Sequence, residues 1–222
     1  MSSTICEQPF YIIFALRRSG HHAVANWIQS QIIERVHMLD FCDEYDDRAH
    51  KTIVSKKESP IIFQFENQPI DNVEDYCNGN TKIIICLRDP YNNIASYIKR
   101  FNLSHRNLSL VIKMWKVQAD LFLSGEYHGI SYNDWFKSME YRRQFCEELG
   151  LTFTDVALNR VAHQGGGSSF DKMDYNGEAQ KMDVFNRWQN YKNDPLYNEL
   201  VLQDKELKEI SDEIFGPIIE EN

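Results

Sequence analysis

Short apolar runs alternate with segments of helical periodicity along the first half of the chain. Strands are predicted at Pro9–Leu16, Ile61–Phe65, Lys82–Leu87 and His128–Tyr132. The third run is apolar throughout, as are strands of parallel sheets that are buried on both faces. Because strands alternate with helices, the pattern predicts an α/β fold, with three αβα layers around a central, mostly parallel sheet.

Helices are predicted where apolar residues recur every three or four positions. Asp89-Pro90 is a typical helix start, and Gly150 is a typical helix end. The predicted helices are His21–Val36, Asp71–Cys77, Asp89–Arg100, Leu108–Leu123, Ser138–Leu149, Lys181–Tyr191 and Asp204–Phe215. Phe41–Ser59 and Asn159–Gly177 are predicted to be mainly loops. We expect residues 1–222 to form a single domain.

Composition narrows the class of protein. The net charge of −9 argues against a general nucleic-acid binder, which needs a basic surface, but it allows a local basic pocket. The five cysteines are scattered and odd in number, which is typical of reduced thiols in the cytoplasm. No signal peptide, membrane span or metal-ligand spacing is apparent. We therefore expect a cytoplasmic protein with no metal and no membrane partner.

The junction after the first predicted strand has the features of an anion site. Arg17 and Arg18 end the apolar run, Ser19-Gly20 makes a short turn, and a helical pattern begins at His21. Such a turn aims backbone N–H groups and the positive end of the helix dipole at one point. The nucleotide-binding forms G-x-x-x-x-G-K-[ST] and G-x-G-x-x-G are absent. The alternative is an ordinary strand–helix junction with surface arginines.

A second candidate anion site follows the predicted strand Lys82–Leu87. Arg88 stands at its carboxyl end, where open α/β sheets bind ligands, and Ser96 follows eight residues later. An arginine and a hydroxyl in this arrangement can hold a phosphate. The alternative is that Asp89 caps the following helix and Arg88 pairs with it.

Together these two sites resemble those of the sulfotransferases that use 3′-phosphoadenosine 5′-phosphosulfate (PAPS). Leu16-Arg-Arg-Ser-Gly-His21 is similar to the family's P-K-S-G-T loop for the 5′-phosphosulfate, with Arg18 at the lysine position. Arg88 and Ser96 match the family's 3′-phosphate pair in order and spacing. The resemblance implies a P-loop NTPase-like sulfotransferase fold.

Weaker similarities extend further along the chain. Tyr132-Asn133-Asp134 resembles a strand end that lies near the adenine in the family. Gly165–Phe170 resembles a glycine-rich loop that closes over the cofactor, and Asn186-Arg-Trp188 resembles the helix that follows this loop. The cofactor implied is PAPS, with 3′,5′-adenosine bisphosphate as product and no metal. The implied cofactor-binding residues are Arg17, Arg18, Ser19, Gly20, His21, His22, Arg88, Ser96, Tyr132, Gly166, Gly167 and Ser168. His21 and His22 replace the family's threonines, and Ala23 stands where many members have an adenine-stacking tryptophan.

The resemblance also implies catalytic residues. The family's base follows the second strand and is His or Glu, which makes Glu66 the candidate here. Arg18 would neutralise the transferring group, and His22 or His21 would protonate the leaving oxygen. We expect burial to raise the pKa of Glu66. The alternatives are a solvent-exposed Glu66 and histidines that are plain polar residues. Arg17 either contacts phosphate or faces outward, and outward is favoured.

The expected function is sulfuryl transfer from PAPS to an acceptor hydroxyl by in-line displacement. A glutamate base resembles the carbohydrate-modifying branch, which suggests a sugar hydroxyl. Two other hypotheses remain open: a non-catalytic nucleotide-binding member of the fold, and an atypical P-loop-type kinase. The partners expected are the nucleotide sulfate donor and a hydroxyl-bearing acceptor, without nucleic acid.

Overall fold

One parallel sheet forms the centre of the molecule. The computed structural model describes residues 9–41, 59–70, 77 and 79–219. Within these ranges five strands pair, all in parallel, in the order β2-β3-β1-β4-β5. They are β1 Phe10–Ala15, β2 His37–Phe41, β3 Ile61–Glu66, β4 Thr81–Leu87 and β5 His128–Ser131. From β1 the chain runs to β2 and β3 on one side and then to β4 and β5 on the other.

Helices cover both faces of this sheet, which confirms the predicted three-layer α/β architecture. They are α1 His21–Ser30, α2 Pro90–Phe101, α3 His105–Leu123, α4 Tyr132–Lys137, α5 Met139–Leu149, α6 Pro195–Tyr197 and α7 Lys205–Phe215. Short 3-10 turns occupy Gln164–Gly166, Ala179–Lys181 and Arg187–Tyr191, and a π turn occupies Asn198–Leu202.

The side chains of β1 alternate between two core layers, as the two-residue period of a strand requires. Tyr11, Ile13 and Ala15 pack in the layer that holds α1 and α5. Phe10, Ile12 and Phe14 pack in another layer, against β3 and the C-terminal part of α3. Both faces of β1 are buried, which explains why its sequence is an uninterrupted apolar run.

The register of the sheet brings three strand ends to one edge. Ala15, the last residue of β1, lies beside Glu66 on one side and Cys86 on the other. Arg88 follows Cys86 by two residues. The loops after β1, β3 and β4 therefore begin side by side at the carboxyl edge, where sheets of this type bind ligands.

Local capping rules hold at several helix ends. The Asp89 carboxylate accepts a 2.8 Å hydrogen bond from the backbone N–H of Asn92, which fixes the start of α2. Ser138 caps α5, and Gly150 ends it in the left-handed conformation at φ 71°. Asp204 caps α7 in the same way as Asp89 caps α2. These ends agree with the sequence predictions.

Three elements differ from prediction at one end: α1, β5 and α3, which begins at His105 instead of Leu108. Helix α1 ends at Ser30 rather than Val36, and the next residue, Gln31, exchanges hydrogen bonds with the backbone of Thr154. Strand β2, which then follows, was not predicted. Tyr132 begins α4 instead of ending β5.

The predicted helix Lys181–Tyr191 is wrong. Residues 182–186 form no helix, Met182 is extended, and only 3-10 turns flank this break. The Val184 carbonyl accepts a hydrogen bond from Arg88, and the Phe185 carbonyl accepts one from Asn92. These carbonyls are thus engaged by side chains rather than by helical partners. The predicted helix Asp71–Cys77, apart from its last residue, and most of the predicted loop Phe41–Ser59 lie outside the described residues.

Candidate active site

The loop between β1 and α1 is held open by its backbone conformation. Arg18 has φ 66° and Gly20 has φ 90°, so the chain turns twice through the left-handed region before α1 begins. A Cβ on Gly20 would lie 2.2 Å from the Tyr132 ring, so only glycine fits there. Helix α1 consequently begins at a cleft lined by Gly20, His21 and His22, and the N-terminus of a helix favours anions.

Arg18 links this loop to the late glycine-rich segment. Its Nε donates to the Ser169 hydroxyl at 2.6 Å, and its Nη2 donates to the Gly167 carbonyl at 2.7 Å. Gly167 has φ 78°, and a Cβ there would meet the Lys172 carbonyl oxygen at 2.6 Å. The glycine therefore permits the tight bridge that brings this segment over the cleft.

Arg88 lies almost fully buried at the carboxyl end of β4. It donates to the Ser96 hydroxyl and the Arg18 carbonyl at 3.3 Å each, and to the Val184 carbonyl at 2.5 Å. Its guanidinium carbon lies 5.2 Å from the centre of the Tyr132 ring. Burial, followed by the nearby Arg187 charge, lowers the pKa of Arg88 to about 10, so the guanidinium stays cationic at neutral pH.

Arg187 completes a cluster that sequence reasoning missed. One of its Nη atoms donates to Ser96 at 3.3 Å, and the other donates to Ser168 at 2.9 Å and to Asp171 at 3.1 Å. The Nε atoms of Arg88 and Arg187 are buried without a hydrogen-bond partner among the described residues. Only the arginine within Asn186-Arg-Trp188 could have indicated this role. Unused donors converging on one place indicate a site for an anion.

On the other side of the loop, Glu66 gathers three basic side chains. Its Oε1 lies 3.2 Å from His21 Nε2 and 3.4 Å from His22 Nε2, while Oε2 accepts a 3.1 Å hydrogen bond from Arg17 Nε. His22 Nδ1 donates to Gln64 Oε1 at 2.9 Å. Arg17 thus turns toward Glu66, not outward as favoured, and is not among the residues that line the cleft.

The pKa expected for Glu66 is wrong in direction. Burial does raise it, but contacts with His21 and His22 outweigh burial and hold the pKa well below the usual range. Burial, followed by the His22 charge, lowers the pKa of His21 to about 4. Burial also disfavours charge on His22, yet hydrogen bonding to Glu66 and the charge of Asp40 leave its pKa raised. At neutral pH, Glu66 is therefore an ionised carboxylate.

These groups surround one cleft that is open to solvent. Most of the predicted site residues line it: Arg18, Gly20, His21, His22, Glu66, Arg88, Tyr132, Gly167 and Ser168. Trp135, Phe136 and Leu158 add an apolar wall that suits a flat ring. Ser19 and Ser96 are buried behind the lining, and Gly166 is not part of it.

Comparisons with known proteins place these findings in context. The family model described as "Sulfotransferase domain" matches residues 11–160. Among solved structures, mouse sulfotransferase SULT7A1 complexed with PAP is similar, with a TM-score of 0.39 and 15% sequence identity, over 93% of this chain and 89% of that one. No curated protein sequence matches significantly. Within the described residues, no helix has the length and apolarity needed to cross a membrane.

Proposed function

The chain belongs to the sulfotransferase family, and we propose that it transfers the sulfuryl group of PAPS to an acceptor hydroxyl with Glu66 as general base. This proposal is supported mainly by the separation of basic and acidic groups onto two sides of the cleft. Three arginines gather on one side of the β1–α1 loop, and a buried carboxylate lies on the other. The first side suits a polyanionic donor and the second suits a proton-bearing acceptor.

The donor's two anionic ends would occupy different arginines. Arg18 and the backbone N–H groups of Gly20 to His22 would hold the 5′-phosphosulfate, whereas the Ser19 N–H already donates to the Leu16 carbonyl at 3.2 Å. Arg88, Ser96 and Arg187 would hold the 3′-phosphate, and Ser168 would contact it from the glycine-rich segment. The hydroxyl and carbonyl oxygens that now accept from these arginines would give way to phosphate oxygens, which form stronger, charge-assisted hydrogen bonds. Tyr132 would flank the nucleotide between Gly20 and Arg88.

The transfer step would form a bond from the acceptor oxygen to sulfur and break the bond from sulfur to the 5′-phosphate oxygen. The acceptor's proton would pass to Glu66, and 3′,5′-adenosine bisphosphate would leave. Group transfers of this kind have loose transition states that depend on positioning and charge neutralisation more than on base strength. A weakly basic carboxylate is adequate for that role, as it is in protein kinases.

The two histidines would act differently. His22 lines the cleft and would donate a proton to the leaving bridging oxygen. His21 is 1% exposed and would act through Glu66, whose carboxylate it helps to position. We propose a carbohydrate hydroxyl as the first acceptor to test, because a glutamate at this position resembles the carbohydrate-modifying branch. We also propose that residues 1–222 form one domain and that the protein is cytoplasmic, as the scattered cysteines indicate.

Calorimetric titration with 3′,5′-adenosine bisphosphate, 5′-AMP and ATP tests the donor assignment. We expect tight binding of the bisphosphate in chelator-treated buffer and much weaker binding of 5′-AMP. A parallel assay would follow transfer of labelled sulfate from PAPS to a panel of mono- and oligosaccharides. Equal affinity for 5′-AMP and the bisphosphate, or preference for ATP with Mg²⁺, would contradict the proposal.

A further inference from the structure

We propose that His21, His22 and Glu66 also form a binding site for a divalent transition-metal ion of the zinc class. One ligand atom from each of the three, all buried, lies within 4.8 Å of the others. Two imidazoles and a carboxylate are a donor set that suits Zn²⁺ and neighbouring transition metals better than Mg²⁺ or Ca²⁺, which prefer oxygen alone. No metal-ligand spacing in the sequence predicts this site, because Glu66 is 44 positions from His22 along the chain.

The two distances from Glu66 to the histidines fit a tetrahedral ion, and the two histidine nitrogens lie within 4.8 Å of each other. With metal–ligand bonds of roughly 2.0–2.2 Å, tetrahedral geometry separates neighbouring ligand atoms by about 3.3–3.6 Å. Glu66 Oε1 lies 3.2 Å from His21 Nε2 and 3.4 Å from His22 Nε2. An ion could therefore bind with little movement of these side chains.

The orientation of the His22 ring is stable only if positive charge lies between its Nε2 atom and the Glu66 carboxylate. Its Nδ1–H donates to Gln64 Oε1, so the neutral imidazole presents the lone pair of Nε2 to the carboxylate. Two lone pairs at 3.4 Å repel unless a proton or a metal ion lies between them. Gln64 here plays the part of the outer partner that fixes the orientation of a metal-binding histidine.

His21 supports the same assignment independently. The residue is 1% exposed, and its Nε2 atom has no well-aligned hydrogen bond among the described residues although it points toward Glu66. Its Nδ1 is engaged by the Ser19 hydroxyl at 3.2 Å, in the position of an outer partner. A buried polar nitrogen whose neighbouring acceptor is poorly aligned is costly, and a metal bond would remove that cost.

The ion would keep a coordination position open to the cleft. His22 and Glu66 both line it, and the Asp40 carboxylate lies 3.8 Å from His22 Nε2 at the rim. Three protein ligands with one open position are typical of exchangeable rather than structural zinc. A bound ion would occupy the Glu66 oxygen, so metal should inhibit sulfuryl transfer. That consequence rests on the proposed function, whereas metal binding itself does not.

The test uses tag-free, chelator-stripped full chain without nucleotide. Titration with Co²⁺, followed by its visible d–d absorption, should show one equivalent bound with the intense bands of tetrahedral coordination, displaced by Zn²⁺. His22→Ala and Glu66→Gln should each lose more than the roughly 10- to 100-fold in affinity that removal of an outer partner costs, and Gln64→Ala should lose about that amount. His105→Ala, at a histidine 61% exposed on α3, is the matched control and should bind like the wild type.

Thermal unfolding of each apo variant separates loss of metal binding from loss of the fold, and Glu66→Gln preserves side-chain shape. Absence of Co²⁺ and Zn²⁺ binding, or equal affinity in the wild type, His22→Ala and Glu66→Gln, would overturn the metal site. The nucleotide titration described above is run with chelator present, so its failure would count against the proposed function alone.

Discussion

Arg17 and Arg18 are consecutive residues, yet their side chains contact groups on opposite sides of the cleft. Arg18 reaches Ser169 and Gly167 on the side of Arg88 and Arg187, which we call the donor half. Arg17 reaches Glu66 on the side of the two histidines, which we call the acceptor half. The backbone of Arg18 is left-handed, with φ 66°, and this turn sends the side chains of Arg17 and Arg18 in different directions. Under the proposed function, one short loop would serve both a nucleotide and a proton-transfer group.

The largest effect is expected in the acceptor half, from Glu66→Gln. The amide keeps the shape of the side chain but cannot take the acceptor's proton, so turnover should fall by roughly 100- to 10,000-fold. Affinity for 3′,5′-adenosine bisphosphate, measured by calorimetry, should stay within about twofold because the donor half is untouched. Glu209→Gln, at an exposed position of α7, is the control. Turnover above half of the wild-type value in Glu66→Gln would remove Glu66 from the mechanism.

The next effect should be on the loop that separates the halves, from Gly20→Ala. The new methyl group would meet the Tyr132 ring and would also force a left-handed alanine, which together cost about 2–5 kcal/mol in the free energy of unfolding. Gly125→Ala is a matched control, because Gly125 has φ 69° but open space around it, and it should cost only about 1–2 kcal/mol. Denaturant unfolding measures both. Equal losses would show that the Tyr132 contact is unimportant.

A smaller and more selective effect is expected in the donor half, from Arg88→Met. Methionine can fill much of the buried volume but cannot bind phosphate, so affinity for 3′,5′-adenosine bisphosphate should fall by about 1.5–3 kcal/mol. Affinity for 5′-AMP should change much less. Arg106→Ala, at an exposed position of α3, controls for the loss of one positive charge. A parallel loss for both nucleotides would argue against a 3′-phosphate role.

The two halves also differ in how far the sequence predicts them. The donor half is built from residues close together in sequence, from Arg18 to Gly20 and from Arg88 to Ser96. Local rules for strands, turns and helix starts predict the relative positions of such residues. Its one missed member, Arg187, follows a non-helical break that the helical periodicity of the sequence did not predict. The strands β1, β3 and β4 were predictable for the same reason, since their apolar runs need no distant partner to be recognised.

The acceptor half depends on contacts between segments far apart in sequence. Glu66 could be named from the family resemblance and its place at the end of the second apolar run. Its environment could not be predicted, because burial alone predicts a raised pKa and the adjacent histidines reverse the result. The direction of Arg17 is likewise set by Glu66 rather than by its neighbours. Long-range electrostatics therefore limited the prediction here, whereas local geometry sufficed for the donor half.

The division of labour between the two arginines is tested most directly by titrating 3′,5′-adenosine bisphosphate into the wild type, Arg17→Met and Arg18→Met. Arg18→Met should lose about 1.5–3 kcal/mol of binding free energy, the range expected for hydrogen bonds to a charged group, and Arg17→Met should bind like the wild type. Equal losses in the two variants, or a larger loss in Arg17→Met, would contradict the account of a loop that faces two ways.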